Sequence, residues 1–202
     1  MRCLMCGKEL GKGSFRDILI GDDPLCADCR KQWRKRSLVT KLDGIRMDAD
    51  YEYDAAFSKF LIQYKECGDE ALKNVFLHEV KRKLRRRYRG YTLLLMPSSM
   101  KKYQERGFSH LRRMYSCLGL PMMEPFIKKE ERTQKEMNRA ERRKMVHDII
   151  PDPSYVIPEK IVLCDDTVTS GSTLRGALSC LDRSRHEIRI YCVSANASWY
   201  DR

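Results

Sequence analysis

Two groups of residues in this sequence have the types and spacing to do chemistry. The first is Cys3-x2-Cys6 followed by Cys26-x2-Cys29. A C-x2-C turn presents two thiolates at the separation a tetrahedral Zn²⁺ demands, with Zn–S near about 2.3 Å, and the stretch between the pairs falls within the gap of about 15–20 residues found in four-cysteine modules. Four sulfur ligands leave no position for a reactive water, so the expected metal is a structural zinc that stabilises a fold. Free thiols or transient disulfides are the alternative. A thioredoxin-type redox pair fits poorly, because neither C-x-x-C opens a helix after a buried strand. The other five cysteines, Cys67, Cys117, Cys164, Cys180 and Cys192, are scattered singly. Cys164, beside two acids, should have a raised pKa and serve packing.

The second group is Ile161-Val162-Leu163-Cys164-Asp165-Asp166-Thr167-Val168-Thr169-Ser170-Gly171-Ser172-Thr173-Leu174. A buried strand delivers two adjacent carboxylates, then a run of small hydroxyl residues around one glycine, then an amphipathic helix. Backbone N–H groups at that helix start, aided by the hydroxyls, can surround a phosphate, and Gly171 lets the backbone approach it. Carboxylates set directly on a phosphate would repel it. Asp165 and Asp166 are better matched to a neutral ribose diol or to Mg²⁺ beside the ligand. Together these describe a site for phosphorylated ribose, with simple helix capping by Asp, Thr and Ser as the alternative. The loop lacks the Gly-Lys-Ser/Thr ending of a Walker A motif and is no G-x-G-x-x-G loop.

The elements that must position these residues follow from hydrophobic patterning. Cys29 to about Lys41 is charged and suits a short helix and then a linker ending at Asp43-Gly44. Residues 45–53 suit a strand, and Asp54 can cap a helix through Phe57, Phe60, Leu61 and Tyr64. Leu72, Phe76, Val80, Leu84 and Tyr88 recur every four residues, predicting a second helix after Gly68-Asp69. Its other faces carry Lys81, Arg82, Lys83, Arg85, Arg86 and Arg87, with Arg89 just beyond. Thr92 to Met96 is wholly apolar, as a strand covered on both sides would be, and Pro97-Ser98-Ser99 ends it. Lys101 to Phe108 reads as a polar loop, Leu111 to Leu118 as a helix, and Met122 to Ile127 as a short strand. Lys128 to Lys144 is densely charged, solvated or in contact with a partner. Ile161 to Cys164, Leu174 to Leu181 and Ile188 to Ala195 form a βαβ unit. This alternation predicts an α/β fold with a mostly parallel central sheet flanked by helices, and ligand loops beyond the strands' carboxyl ends.

The chain has 202 residues, 42% hydrophobic and 34% charged, room for one ordinary domain and a small appendage. No apolar run reaches the ~18–20 residues of a membrane span, and no signal-peptide pattern opens the chain, which points to a cytoplasmic protein. Forty Lys and Arg against 28 Asp and Glu give a formal charge of +12, favouring a polyanionic partner, nucleic acid first. The histidines, His78, His110, His147 and His186, have no ligand-like spacing and read as ordinary surface or helix residues.

The Asp165–Leu174 stretch resembles the phosphoribosyl pyrophosphate motif of type I phosphoribosyltransferases. Arg106-Gly107-Phe108-Ser109-His110 resembles the Arg-Gly-Phe-Asn-Gln segment of the ComF family of competence proteins. Arg132-Thr133-Gln134 with Asn138-Arg139 and Arg142 resembles that family's downstream Gln and Arg-x-x-Asn pattern. A four-cysteine module ahead of a phosphoribosyltransferase-like domain is also its arrangement. Two departures are Met96-Pro97-Ser98-Ser99 in place of a Val-Pro-Val-Pro-like stretch, and Ser109-His110 in place of Asn-Gln.

This resemblance implies residues 1–42 as zinc module and linker helix and 43–202 as the phosphoribosyltransferase-like domain. It implies that the acidic pair contacts ribose hydroxyls, that Thr167, Val168, Thr169, Ser170, Gly171, Ser172 and Thr173 form the 5′-phosphate loop, and that Pro97, Ser98 and Ser99 form a pyrophosphate loop. The implied role is in natural transformation, handling incoming single-stranded DNA with a helicase-like translocase and a DNA-processing protein. The basic run Lys81, Arg82, Lys83, Arg85, Arg86, Arg87 and Arg89, with Tyr88 and Tyr91, suits a single strand held by cations and stacking. Two alternatives stay open. One is an active phosphoribosyltransferase on an unidentified acceptor, using Mg²⁺ with phosphoribosyl pyrophosphate and Lys101, Lys102 and Arg106. The other is a protein adaptor with an unused pocket.

Overall fold

The apolar run before the acidic pair becomes the interior of the sheet. The computed structural model describes residues 1–10, 23–128 and 149–201. Eight strands are described: β1 (Lys35–Leu42), β2 (Ile45–Glu52), β3 (Thr92–Leu95), β4 (Met122–Met123), β5 (Phe126–Lys128), β6 (Ile149–Pro151), β7 (Lys160–Val168) and β8 (Glu187–Ala195). The main sheet runs β1-β2-β8-β7-β3-β4, and β5 pairs with β6 in a separate antiparallel ribbon. Every pairing from β2 to β4 is parallel, and only β1 is antiparallel. Parallel strands are covered on both faces, which is why Ile161 to Cys164 and Leu93 to Leu95 are fully buried. The architecture is the expected one, a mostly parallel sheet flanked by helices.

The described α-helices are α1 (Ala27–Lys31), α2 (Ala55–Glu66), α3 (Lys81–Arg87), α4 (Met100–Arg106), α5 (His110–Tyr115) and α6 (Ser172–Ser179). Asp54 caps α2 as expected, its carboxylate accepting from the Phe57 amide at 2.8 Å. No helix among the described residues is long and apolar enough to cross a membrane.

Three local expectations are corrected. Residues 35–42 are not linker or helix but strand β1, joined to β2 by the two-residue turn Asp43-Gly44, with φ of 50° and 85°. Positive φ at both central residues is the hairpin geometry that Asp-Gly favours, and Leu38 and Leu42 turn into the core. Residues 101–106, expected as loop, lie in α4, capped by Ser99 and ended by Gly107 at φ 77°. The four-residue apolar repeat from Leu72 to Tyr88 is buried throughout, but it runs along a 3₁₀ turn (Glu70–Asn74), further turns and then α3, rather than one helix. The segment 129–148, with Arg132, Thr133, Gln134, Asn138, Arg139, Arg142 and His147, lies outside the described residues.

Candidate functional site

The carboxyl ends of β3 and β7 open on a cleft of about 910 Å³. Neighbouring residues of a strand point to opposite faces, yet Asp165, Asp166 and Thr167 all line the cleft, so it straddles the carboxyl edge of the sheet. Thr169 and Thr173 continue that wall towards α6. Pro97, Ser98, Ser99, Lys101, Lys102 and Arg106 supply a second wall. The two loops expected to bind one ligand therefore border one cleft. Val168 is buried in the core, and Ser170, Gly171 and Ser172 shape the turn rather than line the cleft.

Gly171 answers to packing. Its φ is 81°, and a Cβ there would come within 3.2 Å of Leu42 and 3.4 Å of Trp199. The turn is braced from outside: Arg175 donates from Nη1 to the Ser170 carbonyl at 2.9 Å and from Nε to Asp43 at 3.2 Å, and Trp199 Nε1 donates to the Thr169 carbonyl. The amino end of α6 is thus held in place; its N-cap residue, Gly171, has no side chain to cap it, and Ser170 Oγ accepts from the Ser172 amide at 3.3 Å. That leaves N–H groups of its first turn for an anion.

The two acids differ sharply. Asp166 is 4% exposed, and its Oδ2 lies 2.7 Å from both Lys65 Nζ and His110 Nε2. Burial opposes its ionisation, but the Lys65 ammonium and the His110 hydrogen bond outweigh burial and hold its pKa well below the carboxylate range. Asp165 has no such cation in contact. Burial, then the Asp166 charge, pushes its pKa up to about 7.

His110 ties the two walls together. Its Nδ1 lies 2.9 Å from Arg106 Nη1 and 3.3 Å from Ser98 Oγ. A guanidinium only donates, so Nδ1 accepts, the ring proton sits on Nε2, and Nε2–H donates to Asp166. Burial lowers the His110 pKa and keeps the ring neutral. The expectation of an ordinary helix or surface histidine is corrected: His110 is 5% exposed and belongs to the cleft. Lys65 carried no sequence signal, since its pairing with Asp166 joins distant parts of the chain. Of the lysines expected there, Lys102 pairs with Glu66 at 3.1 Å and Lys101 lies 3.9 Å from Glu105. Cys164 is fully buried, and burial, then Asp165, raises its thiol well above the usual range, as a packing role requires.

The four cysteines meet as their spacing predicts. The sulfurs of Cys3, Cys6, Cys26 and Cys29 all lie within 4.8 Å of one another and could hold a metal ion. Cys6 and Cys26 sulfurs are 3.8 Å apart, the edge of a tetrahedron with metal–sulfur bonds of about 2.3 Å and far beyond a disulfide. The Cys26 amide donates to Cys3 Sγ at 3.2 Å. Burial alone would raise the Cys3 pKa, but backbone hydrogen bonds from Cys26, Cys6 and Met5 bring it down to about 6. The donor set fits structural zinc.

The basic helix is partly committed. Asp48, Asp50 and Glu52 alternate along β2 and are all buried. Lys83 Nζ lies 2.5 Å from Asp50 and Arg87 Nη1 lies 3.2 Å from Asp48. Tyr88 is 2% exposed, so it offers no face to a base. Arg82, Arg85, Arg86 and Arg89 remain exposed, and Lys81 is half-buried.

No family model matches the chain. It is similar to competence protein ComFC of Streptococcus pneumoniae (strain ATCC BAA-255 / R6), 27% identical over 209 residues, covering 91% of this chain and 94% of that protein. It is also similar to competence protein ComFC of Bacillus subtilis (strain 168), 28% identical over 162 residues, covering 78% of this chain and 65% of that protein.

Proposed function

We propose that the chain is a ComF-family competence protein, acting in the cytoplasm in natural transformation, which handles incoming single-stranded DNA and keeps a phosphoribosyltransferase-like cleft for ribose phosphate. The observation that carries this reading is the cleft itself, a space of about 910 Å³ lined by both the carboxylate pair and the Pro97-Ser98-Ser99 loop. Similarity along 91% of the chain to a competence protein supports the cellular role.

In this reading a ribose 5-phosphate unit lies across the carboxyl edge of the sheet. Its phosphate meets the amino end of α6 with Thr169 and Thr173, and its hydroxyls reach Asp165. Asp166, already paired with Lys65 and His110, orients that arrangement. A pyrophosphate would lie towards Ser98, Ser99, Lys101 and Lys102, and Mg²⁺ would supply charge neutralisation beside Asp165. The basic surface of α3 attracts the DNA backbone. A helicase-like translocase and a DNA-processing protein are the proposed partners in uptake.

Phosphoribosyl transfer is the second reading, favoured by one observation: Lys101, Lys102 and Arg106 all line the cleft beside the Pro97–Ser99 loop. Titrating the protein with phosphoribosyl pyrophosphate plus Mg²⁺, and separately with a short single strand, distinguishes the two. Saturable binding of both without pyrophosphate release is the expected result. Release of pyrophosphate would establish an enzyme, and binding of neither would overturn both readings.

A further inference from the structure

The sheet has a second hollow at its other edge. Arg46 lies at the start of β2, Arg189 near the start of β8 and Tyr91 immediately before β3, while Arg87 ends α3 and Tyr88 follows it. With Asp48 they enclose about 270 Å³. Parallel strands place their amino ends together, so this hollow lies across the sheet from the cleft, and the reading above gives it no role.

Three guanidiniums from three elements would repel one another without anchors, and two carboxylates supply them. Arg46 donates to Asp48 from Nε at 3.2 Å and Nη2 at 3.0 Å, Arg87 Nη1 lies 3.2 Å from Asp48, and Arg189 Nη2 donates to Glu187 at 3.1 Å. Lys160 also approaches Glu187, at 3.8 Å, so four cations face two acids. Each guanidinium has five N–H donors, and these contacts leave most of them unused. Asp48 is 3% exposed, whereas the Arg46, Arg87 and Arg189 side chains are 46%, 34% and 41% exposed. The acid lies beneath and the forks stay accessible.

We infer that this hollow receives a phosphodiester of single-stranded DNA, an inference that rests on the DNA-handling reading and gives it a site. Planar forks match phosphate oxygens two at a time, and carboxylates that fix them beforehand reduce the ordering that binding requires. A free phosphate would satisfy the same forks. The polymer is favoured because Arg82 and Arg86 on α3 and Arg89 just beyond it are exposed, and Arg87, the last residue of that helix, lines the hollow, so further cations lie on the same segment of chain.

The test is fluorescence anisotropy of a labelled single strand of about 20 thymidines against the full-length protein over a range of salt. Arg46→Ala with Arg189→Ala should weaken binding tenfold or more and reduce the slope of log affinity against log salt by about 1.4, from two lost phosphate contacts. Arg46→Lys with Arg189→Lys keeps charge and loses the forks. It should retain the slope and recover only part of the affinity, and it carries the test if the alanine pair melts early. Strand binding by the parent protein that neither pair changes would overturn the hollow but leave the DNA reading intact. No strand binding by the parent protein would overturn that reading and this inference together. Displacement of the strand by millimolar inorganic phosphate at constant ionic strength would show a small-anion site instead.

Discussion

At Asp165 burial and the neighbouring negative charge oppose ionisation, whereas at Asp166 a lysine and a histidine enforce it, and the two outcomes leave separate signatures in pH. A carboxyl titrating near 7 when folded and near 3.8 when unfolded binds more protons in the folded state, so its contribution to stability falls as pH rises from about 4 to about 7. The Asp166 contribution has the opposite sign. It is present above the unfolded value and lost only in acid, as pH falls through its depressed pKa. Buried His78 and His110, whose pKa values burial lowers, add stability as pH rises. Comparing melting temperature between parent and Asp165→Asn from about pH 5 to about pH 8 cancels those shared terms. The parent should lose stability relative to the variant as pH rises, and a parallel pair of curves would contradict the account. Asp166→Asn leaves Lys65 without its counter-charge and should cost about 2–4 kcal/mol by denaturant unfolding. An unchanged midpoint would show that the Lys65–Asp166–His110 cluster is not formed. The acidic pair was legible from its own residue types. Its partners were not, because Lys65 and His110 reach it from distant segments, and a lone lysine or histidine carries no mark of what the fold sets beside it.

Among the elements, α3 shows how tertiary pairing divides a uniform run of charge. In sequence Lys81 to Arg89 contains no acid, yet Lys83 and Arg87 meet Asp50 and Asp48 from β2. Lys83→Met should therefore lower stability by about 1.5–3 kcal/mol, because Asp50 is 1% exposed and loses a charged hydrogen bond. Arg82→Ala with Arg86→Ala should leave the melting temperature unchanged and weaken single-strand binding with a shallower salt dependence. Equal effects of the two changes on stability would contradict this division. The β1–β2 hairpin was legible in one dipeptide, Asp43-Gly44, but the run of basic residues before it masked the Leu38 and Leu42 alternation. Helix α4 was hidden for a different reason. Its seven residues bury no side chain, so no apolar stripe marks it, and only the Ser99 cap and Gly107 stop betray its ends.

Across the whole molecule, the cysteine module shares the core of the α/β unit. Cys3, Leu25, Cys29 and Trp33 are buried with it, and Trp33 packs against Tyr51, Phe57, Phe60 and Phe76. Buried Arg30 binds Asp23 and donates to the Val75 carbonyl at 3.0 Å, linking α1 to the turns that follow the 3₁₀ segment. Removing the metal with a strong chelator should lower the melting temperature of the entire chain in a single transition, with one metal per chain by elemental analysis beforehand. A separate early transition confined to the cysteine module, or protein purified without metal, would contradict this. The parallel sheet was legible because its central strands bring runs of buried apolar residues, Leu93 to Leu95 and Ile161 to Cys164, and the cysteine cluster because its spacing is self-contained. How the two join depends on Arg30 and Trp33, whose neighbours come from several other segments. Binding of ribose phosphate in the cleft at the carboxyl edge can be seen in a crystal structure grown with phosphoribosyl pyrophosphate and Mg²⁺. The sugar should lie against Asp165, with its 5′-phosphate at the amino end of α6 beside Thr169 and Thr173. Ligand bound elsewhere on the protein, with that cleft holding only solvent, would contradict it.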